Sequence, residues 1–173
     1  DSIPSTSVDS LLTFATNACV KSRIIQFSRG NWKVFDGPFS KEDFSRTKPW
    51  TLLIDGIDKY AFEVKHLKQL VSFLPTWRLD DIMVSYSVKD GSTGPHFDLY
   101  DVFLVQAKGN RKWRIGQRCN AETPIVPHSR LQLVSEFKLS EEYFTEPGDI
   151  LYIPPNIAHW GISENTSITY SIG

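Results

Sequence analysis

The hydrophobic pattern changes character near residue 80. Before that point it has helical and mixed periods. Leu11, Leu12, Ala15 and Ala18 form one stripe, predicting a helix over 7–20 with Ser7 or Asp9 as its cap. Apolar runs at 24–27 and 32–35 flank Gly30-Asn31 and predict a hairpin. Gly37-Pro38 then breaks the chain, and 50–54 reads as a short apolar strand. Val64, Leu67, Leu70, Val71 and Leu74 predict a helix over 63–73, stopped by Pro75. From Asp80 onward, short strand-like runs recur at 81–88, 101–107, 111–116, 131–137, 149–153 and 166–172, with Gly, Pro and Asn between them. Many short strands separated by turns imply a sandwich or barrel, with the earlier helices buttressing one outer face.

Alternation assigns faces. Over 81–88, Ile82, Val84, Tyr86 and Val88 share a core-like face, while Asp81, Met83, Ser85 and Ser87 share a mixed one, as either a pocket wall or a solvated face would. Over 111–115, Arg111 is grouped with Trp113 and Ile115, and Lys112 with Arg114. If the first of these faces is interior, Arg111 needs an anion, because an unpaired buried charge costs several kcal/mol. A planar guanidinium suits a carboxylate bidentately. The alternatives are a slipped register that exposes Arg111, or a pair with an internal Asp or Glu.

Composition narrows the class. A chain of 173 residues fits one domain with a full core, and 40% apolar content is ordinary for a globular protein. A net charge of −1 gives no general pull toward nucleic acid or an anionic membrane. No apolar run reaches membrane-span length. Cys19 and Cys119 are far apart and form no CxxC, so free thiols in a reducing, cytoplasmic setting are expected. The first residue is not Met, and the last residues still read as a strand; a fragment truncated at both ends is expected.

The candidate chemistry lies in Gly94-Pro95-His96-Phe97-Asp98-Leu99-Tyr100. On an extended segment His96 and Asp98 point the same way and can reach one ion, and Tyr100 shares their parity. His159, after Pro154-Pro155, is the third ligand candidate. Two histidines and a carboxylate on one side of a metal make the facial triad of non-haem Fe(II) oxygenases. His-x-Asp alone is also compatible with a capped turn. His66 and His128 have no ligand-like neighbours and read as structural or surface residues.

Taken together, 79–87, Gly94 to Phe103, Arg111 to Gly116 and Glu146 to Pro155 resemble the jumonji-C oxygenases of the cupin superfamily. In particular they resemble the bacterial ribosomal oxygenases, which hydroxylate an arginine of large-subunit ribosomal protein number sixteen. The resemblance implies a mainly β, double-stranded β-helix (jelly-roll) catalytic domain over 1–173. Fe(II) would be held by His96, Asp98 and His159. The cosubstrates would be 2-oxoglutarate and O2, with the far carboxylate of 2-oxoglutarate on Arg111 and Ser85. Asp81, Met83 and Tyr100 would line the pocket of the target side chain, and the partner would be a ribosomal protein. Longer family members add a dimerisation region and a winged helix, so a homodimer is expected of the full-length protein. Alternatives are histidine hydroxylation, lysine demethylation, or a cupin that binds metal without oxygenase chemistry. Two departures stand out: Asn156 where a glycine is expected, and the bulky Trp160 where a smaller or acidic residue is expected.

Overall fold

The computed structural model describes residue 3, residues 6–128 and residues 130–173. Helix α1 (Val8–Ala15) starts at Ser7, whose hydroxyl accepts from the Ser10 amide. It is shorter than its stripe predicts. Asn17 captures the Cys19 amide at 2.8 Å, a local bond that competes with further helical turns. Strands β1 (Ser22–Ser28) and β2 (Asn31–Asp36) form the expected hairpin. Its turn residues are Arg29 and Gly30, both at positive φ, so the turn begins one residue earlier than the sequence pattern indicates. Strand β3 (Trp50–Ile54) is wholly buried. The stretch expected as one helix over 63–73 is α2 (Phe62–Lys65) followed by a 3-10 segment, His66–Val71. Val64, Leu67 and Val71 are buried there, but Leu70 faces out.

The remaining strands are β4 (Ile82–Ser87), β5 (Val102–Lys108), β6 (Arg111–Arg118), β7 (Glu141–Thr145), β8 (Ile150–Ile153), β9 (Ile157–Ser163) and β10 (Ser167–Ile172). One sheet has the order β2-β1-β3-β4-β10-β5-β8, and the other β7-β6-β9. All pairings are antiparallel. Isolated bridges at Ser92 and His96 add the segment before β5 to the free side of β9. The result is a four-against-four jelly roll, β4-β10-β5-β8 facing the His96 segment-β9-β6-β7, with β1 to β3 extending the first sheet. This is the double-stranded β-helix that the resemblance implies.

Three local expectations differ from the structure. Residues 131–137 form no strand; Leu133 and Val134 make single bridges to His96 and Ile125. Strand β7 carries no apolar alternation because it is a largely exposed edge. Strand β9 follows two prolines and contains Gly161, both of which read as loop signals.

Most of the core lies outside the barrel. The largest apolar cluster covers the outer face of the seven-stranded sheet, beneath α1, α2 and the 3-10 segment. It includes Leu11, Leu52, Val64, Leu67, Ile82, Val84, Val105, Ile168 and Tyr170. Between the two sheets Val102, Leu104, Trp113 and Ile153 form a small buried cluster. The chain thus buries most of its apolar surface outside the barrel and leaves the barrel interior to polar groups.

Leu52 is fully buried where β1, β3 and β4 meet the helices. Leu52→Ala is expected to cost about 2–5 kcal/mol of stability, read from the midpoint of urea unfolding.

Candidate metal centre and cosubstrate pocket

The Gly94–Asp98 segment is held against β9 by a reciprocal backbone pair. The His96 amide donates to the His159 carbonyl at 3.0 Å, and the His159 amide donates to the His96 carbonyl at 2.8 Å. The Asn156 amide donates to the Asp98 carbonyl at 2.7 Å. Two backbone features permit this approach. Gly94 sits at φ 84 where a Cβ would meet Leu133 at 2.8 Å and Trp32 at 2.9 Å. Asn156 sits at φ 65, a left-handed conformation that asparagine tolerates better than most residues. The unexpected asparagine therefore does the backbone work of the expected glycine.

The ligand atoms of His96, Asp98 and His159 all lie within 4.8 Å of one another. Nδ1 of His96 lies 2.9 Å from the Gly94 carbonyl and Nδ1 of His159 lies 3.0 Å from the Ile157 carbonyl. A carbonyl only accepts, so each Nδ1 carries a hydrogen, which in a neutral ring leaves Nε2 with the lone pair that binds a metal. Such backing bonds fix ring orientation and tautomer in metal sites. Nε2 of His159 faces Oδ2 of Asp98 at 3.5 Å. Burial, helped by nearby His96 and Arg111, pushes His159 down to about 3. The contact is therefore not an ion pair at neutral pH. It sets two electron-rich atoms against each other with no proton between them, an arrangement a cation would relieve. A set of two histidines and one carboxylate suits iron and leaves positions open for other ligands.

Arg111 projects from β6 into the same cavity of about 840 Å³. It is buried, with Trp113 beside it on the inner face, while Lys112 and Arg114 face outward to Glu142. The alternation of this strand holds, and the slipped-register alternative does not. Nη1 of Arg111 donates to Ser85 Oγ at 2.9 Å and to Thr169 Oγ1 at 3.4 Å. Nη2 makes only a 3.5 Å contact to the Gly161 carbonyl, and Nε has no partner. Among the described residues no carboxylate pairs with this guanidinium. Burial lowers it to about 10, so it remains charged at neutral pH. Nε and Nη2 lie on one edge, packed against Gly161 of β9 without a strong hydrogen-bond partner. A Cβ at Gly161 would come within 2.7 Å of Nε and 2.6 Å of the Trp113 ring, so only glycine fits at this position.

The other expected residues fall around the cavity. Asp81, Met83 and Ser85 line it from β4 and the residue before it, as the mixed face predicts. Tyr100 lies at its mouth, although the 94–100 stretch is not a continuous strand. Burial, then the Asp80 carboxylate, raises Asp81 above the usual carboxylate range, with Lys59 opposing. Burial and the nearby Asp98 carboxylate raise the Tyr100 phenol. Trp160 is not in the cavity. It points to the opposite face of β9, where its Nε1 donates to Ser92 Oγ at 2.9 Å and its ring meets Phe137 and Arg114. His128 accepts from the Arg130 and Leu131 amides in a loop.

The JmjC domain family matches residues 66–173, more than half of the chain. The chain belongs to this family. It is 39% identical over 166 residues to a probable ribosomal oxygenase of Haemophilus influenzae, covering 94% of this chain and 41% of that protein. It is 38% identical over 167 residues to the ribosomal protein uL16 3-hydroxylase of Escherichia coli, covering 96% and 44%. A solved structure of the E. coli ribosomal oxygenase YcfD, in complex with cobalt and 2-oxoglutarate, superposes with a TM-score of 0.86 at 36% identity. That match covers 97% of this chain and 43% of the other. This JmjC chain thus spans less than half the length of these relatives.

Thr169, Gly161 and Gln106 are not singled out by the sequence pattern. A signal exists for Thr169: the last strand alternates Ile168, Tyr170 and Ile172 with Ser167, Thr169 and Ser171. The pair Arg111–Gly161 is visible only across two strands.

Gly161→Ala is expected to overpack the Arg111–Trp113 contact and cost about 1–3 kcal/mol, read by thermal melting. A neutral, buried His159 also makes a pH prediction for the metal-free protein. The unfolded chain takes up a proton below the ordinary value of 6.5 while the folded chain does not until about 3. Stability therefore falls as pH drops below about 6.5, and His159→Gln should flatten that slope in melts between pH 7 and pH 5.

Proposed function

We propose that this JmjC chain is the catalytic domain of an Fe(II)- and 2-oxoglutarate-dependent protein hydroxylase, acting in the cytoplasm on an arginine of a large-subunit ribosomal protein. One observation carries the reading: a buried, charged Arg111, with no carboxylate partner among the described residues, shares a cavity with His96, Asp98 and His159. A dicarboxylate that reaches both features would relieve two unfavourable arrangements at once, the unpaired guanidinium and the facing lone pairs.

In this reading His96, Asp98 and His159 hold the iron. Iron with 2-oxoglutarate and O2 supplies the oxidising power to insert one oxygen atom into a C–H bond, while 2-oxoglutarate leaves as succinate and carbon dioxide. Arg111, held in place by Ser85, anchors the far carboxylate and so sets how the cosubstrate lies. The protein's remaining task is to place one target C–H beside the metal and hold it there.

The mouth supports a cationic target. Asp55 is tied to Lys21 at 2.8 Å, and Asp58 to Lys68 at 2.9 Å. Asp81 makes no ion pair among the described residues and lines the cavity. A guanidinium can pair with it bidentately and stack on Tyr100. Met83 supplies apolar contact for the target's methylene groups. The name of the E. coli relative, a uL16 3-hydroxylase, supports a ribosomal protein as the substrate class.

Full-length protein loaded with Fe(II) should turn over 2-oxoglutarate, and His96→Ala should not; equal turnover by both would overturn the oxygenase reading. Arg111→Met should weaken 2-oxoglutarate binding by about 30-fold or more, about 2 kcal/mol, in calorimetric titration of the metal-loaded protein. Mass spectrometry of ribosomal proteins after gene deletion should reveal loss of one oxygen atom from an arginine. Loss from a histidine instead would overturn the choice of target.

A further inference from the structure

Across the inner face of the larger sheet, β4, β10 and β5 place Ser85, Thr169 and Gln106 side by side. Ser85 is the cross-strand partner of Thr169, and Thr169 of Gln106. All three are buried, Gln106 completely. The guanidinium of Arg111 lies against the Ser85 and Thr169 end of this row. Gln106 does not line the cavity, and the function proposed above does not use it.

The directions of the hydrogen bonds along the row are determined. The Gln106 amide nitrogen donates to the Lys108 carbonyl at 2.9 Å and the Gly109 carbonyl at 3.0 Å. Two carbonyls can only accept, so the orientation of the amide is settled and Oε1 must be an acceptor. Thr169 commits its hydroxyl hydrogen to that oxygen at 2.8 Å. Its lone pairs are then left for Arg111 Nη1 at 3.4 Å. Ser85 likewise donates to the Thr169 carbonyl at 3.3 Å and accepts from Nη1 at 2.9 Å. Both hydroxyls therefore act as neutral acceptors toward one nitrogen of the guanidinium. They hold it in place without neutralising it.

We infer that Gln106 is a positioning residue for the cosubstrate site: it acts through Thr169 to orient Arg111, and its neutrality keeps the guanidinium unpaired for an incoming carboxylate. This rests on the assignment of Arg111 to 2-oxoglutarate. The same geometry explains why the row ends in an amide and not in the isosteric carboxylate. A glutamate at this position would repel the Lys108 and Gly109 carbonyls. Relayed through Thr169, its charge would also compete with the cosubstrate for Arg111. A purely structural role, capping the β5–β6 turn, predicts lost stability with unchanged cosubstrate affinity.

The test compares Gln106→Glu, Gln106→Met and Thr169→Val with the unaltered full-length protein. Binding of 2-oxoglutarate to the Mn(II)-loaded protein is measured by calorimetry, together with KM and kcat for 2-oxoglutarate. Q106E is expected to raise Kd and KM by about tenfold, equivalent to about 1.4 kcal/mol, with kcat at saturating 2-oxoglutarate and Mn(II) affinity within about twofold of the unaltered protein. The loss should shrink as pH is lowered and the introduced carboxyl is protonated. Q106M and T169V, which add no charge, should each raise Kd by a smaller factor and show no such pH dependence. Unchanged Kd in folded Q106E, or equal losses in Q106E and Q106M at every pH, would overturn the inference. If Q106E does not fold, unchanged Kd in T169V would overturn it alone. Failure of the unaltered protein to bind 2-oxoglutarate would instead overturn the function proposed above, which separates the two claims.

Discussion

The structure depends on one unfavourable arrangement that it tolerates: a charged guanidinium buried between two sheets, with no carboxylate partner among the described residues. A lone buried charge costs several kcal/mol unless something compensates. Here the compensation within the chain is partial. Two hydroxyls accept from one nitrogen of Arg111, Trp113 stacks close by with its ring 4.8 Å from the guanidinium carbon, and one edge is left without a strong partner. Natural chains rarely keep such a group without a use for it. The unneutralised charge is the clearest chemical statement the fold makes, because it calls for an anion inside the barrel.

The distribution of apolar residues makes that arrangement tolerable. The main core lies outside the barrel, where α1, α2 and the 3-10 segment cover the seven-stranded sheet. Stability there does not require the barrel interior to be apolar. The interior can then hold Ser85, Thr169, Gln106 and Arg111 in one network. At the other end it holds two histidines whose bare nitrogens converge with a carboxylate. Strand β9 links the ends, since it carries both His159 and the Gly161 that lies against Arg111.

The two departures from the family pattern have different physical meanings. Asn156 stands where the resemblance leads one to expect a glycine, and at its positive φ asparagine meets the same backbone need. Trp160 follows a ligand directly in sequence, yet the pleat of β9 turns it away from the cavity. Ser92 then uses it to brace the strand: the same hydroxyl accepts from the indole and from the Gly94 amide, and donates to the Gly161 carbonyl. A bulky residue next to a ligand is thus part of the support for the segment that carries His96.

Period-two alternation was enough to group Asp81, Met83 and Ser85 on one face and Arg111 with Trp113 and Ile115 on another, because a strand's pleat is a local property. The hairpin, the helix cap at Ser7 and the all-β character after residue 80 were legible for the same reason. Whether Arg111 faced the interior, was exposed, or paired with an internal Asp or Glu stayed open in the sequence, and the packing of β6 decided it. The tertiary structure decided whatever depends on distant residues meeting. Strand β9 was hidden by prolines and a glycine whose purpose is close packing against β6. The edge strand β7 has no buried face to leave a pattern. The convergence of His159 with His96 and Asp98, and the row from Ser85 to Gln106, arise from pairing between strands far apart in the chain. Local sequence carries the face on which a side chain lies; only the closed pair of sheets determines what lies across from it.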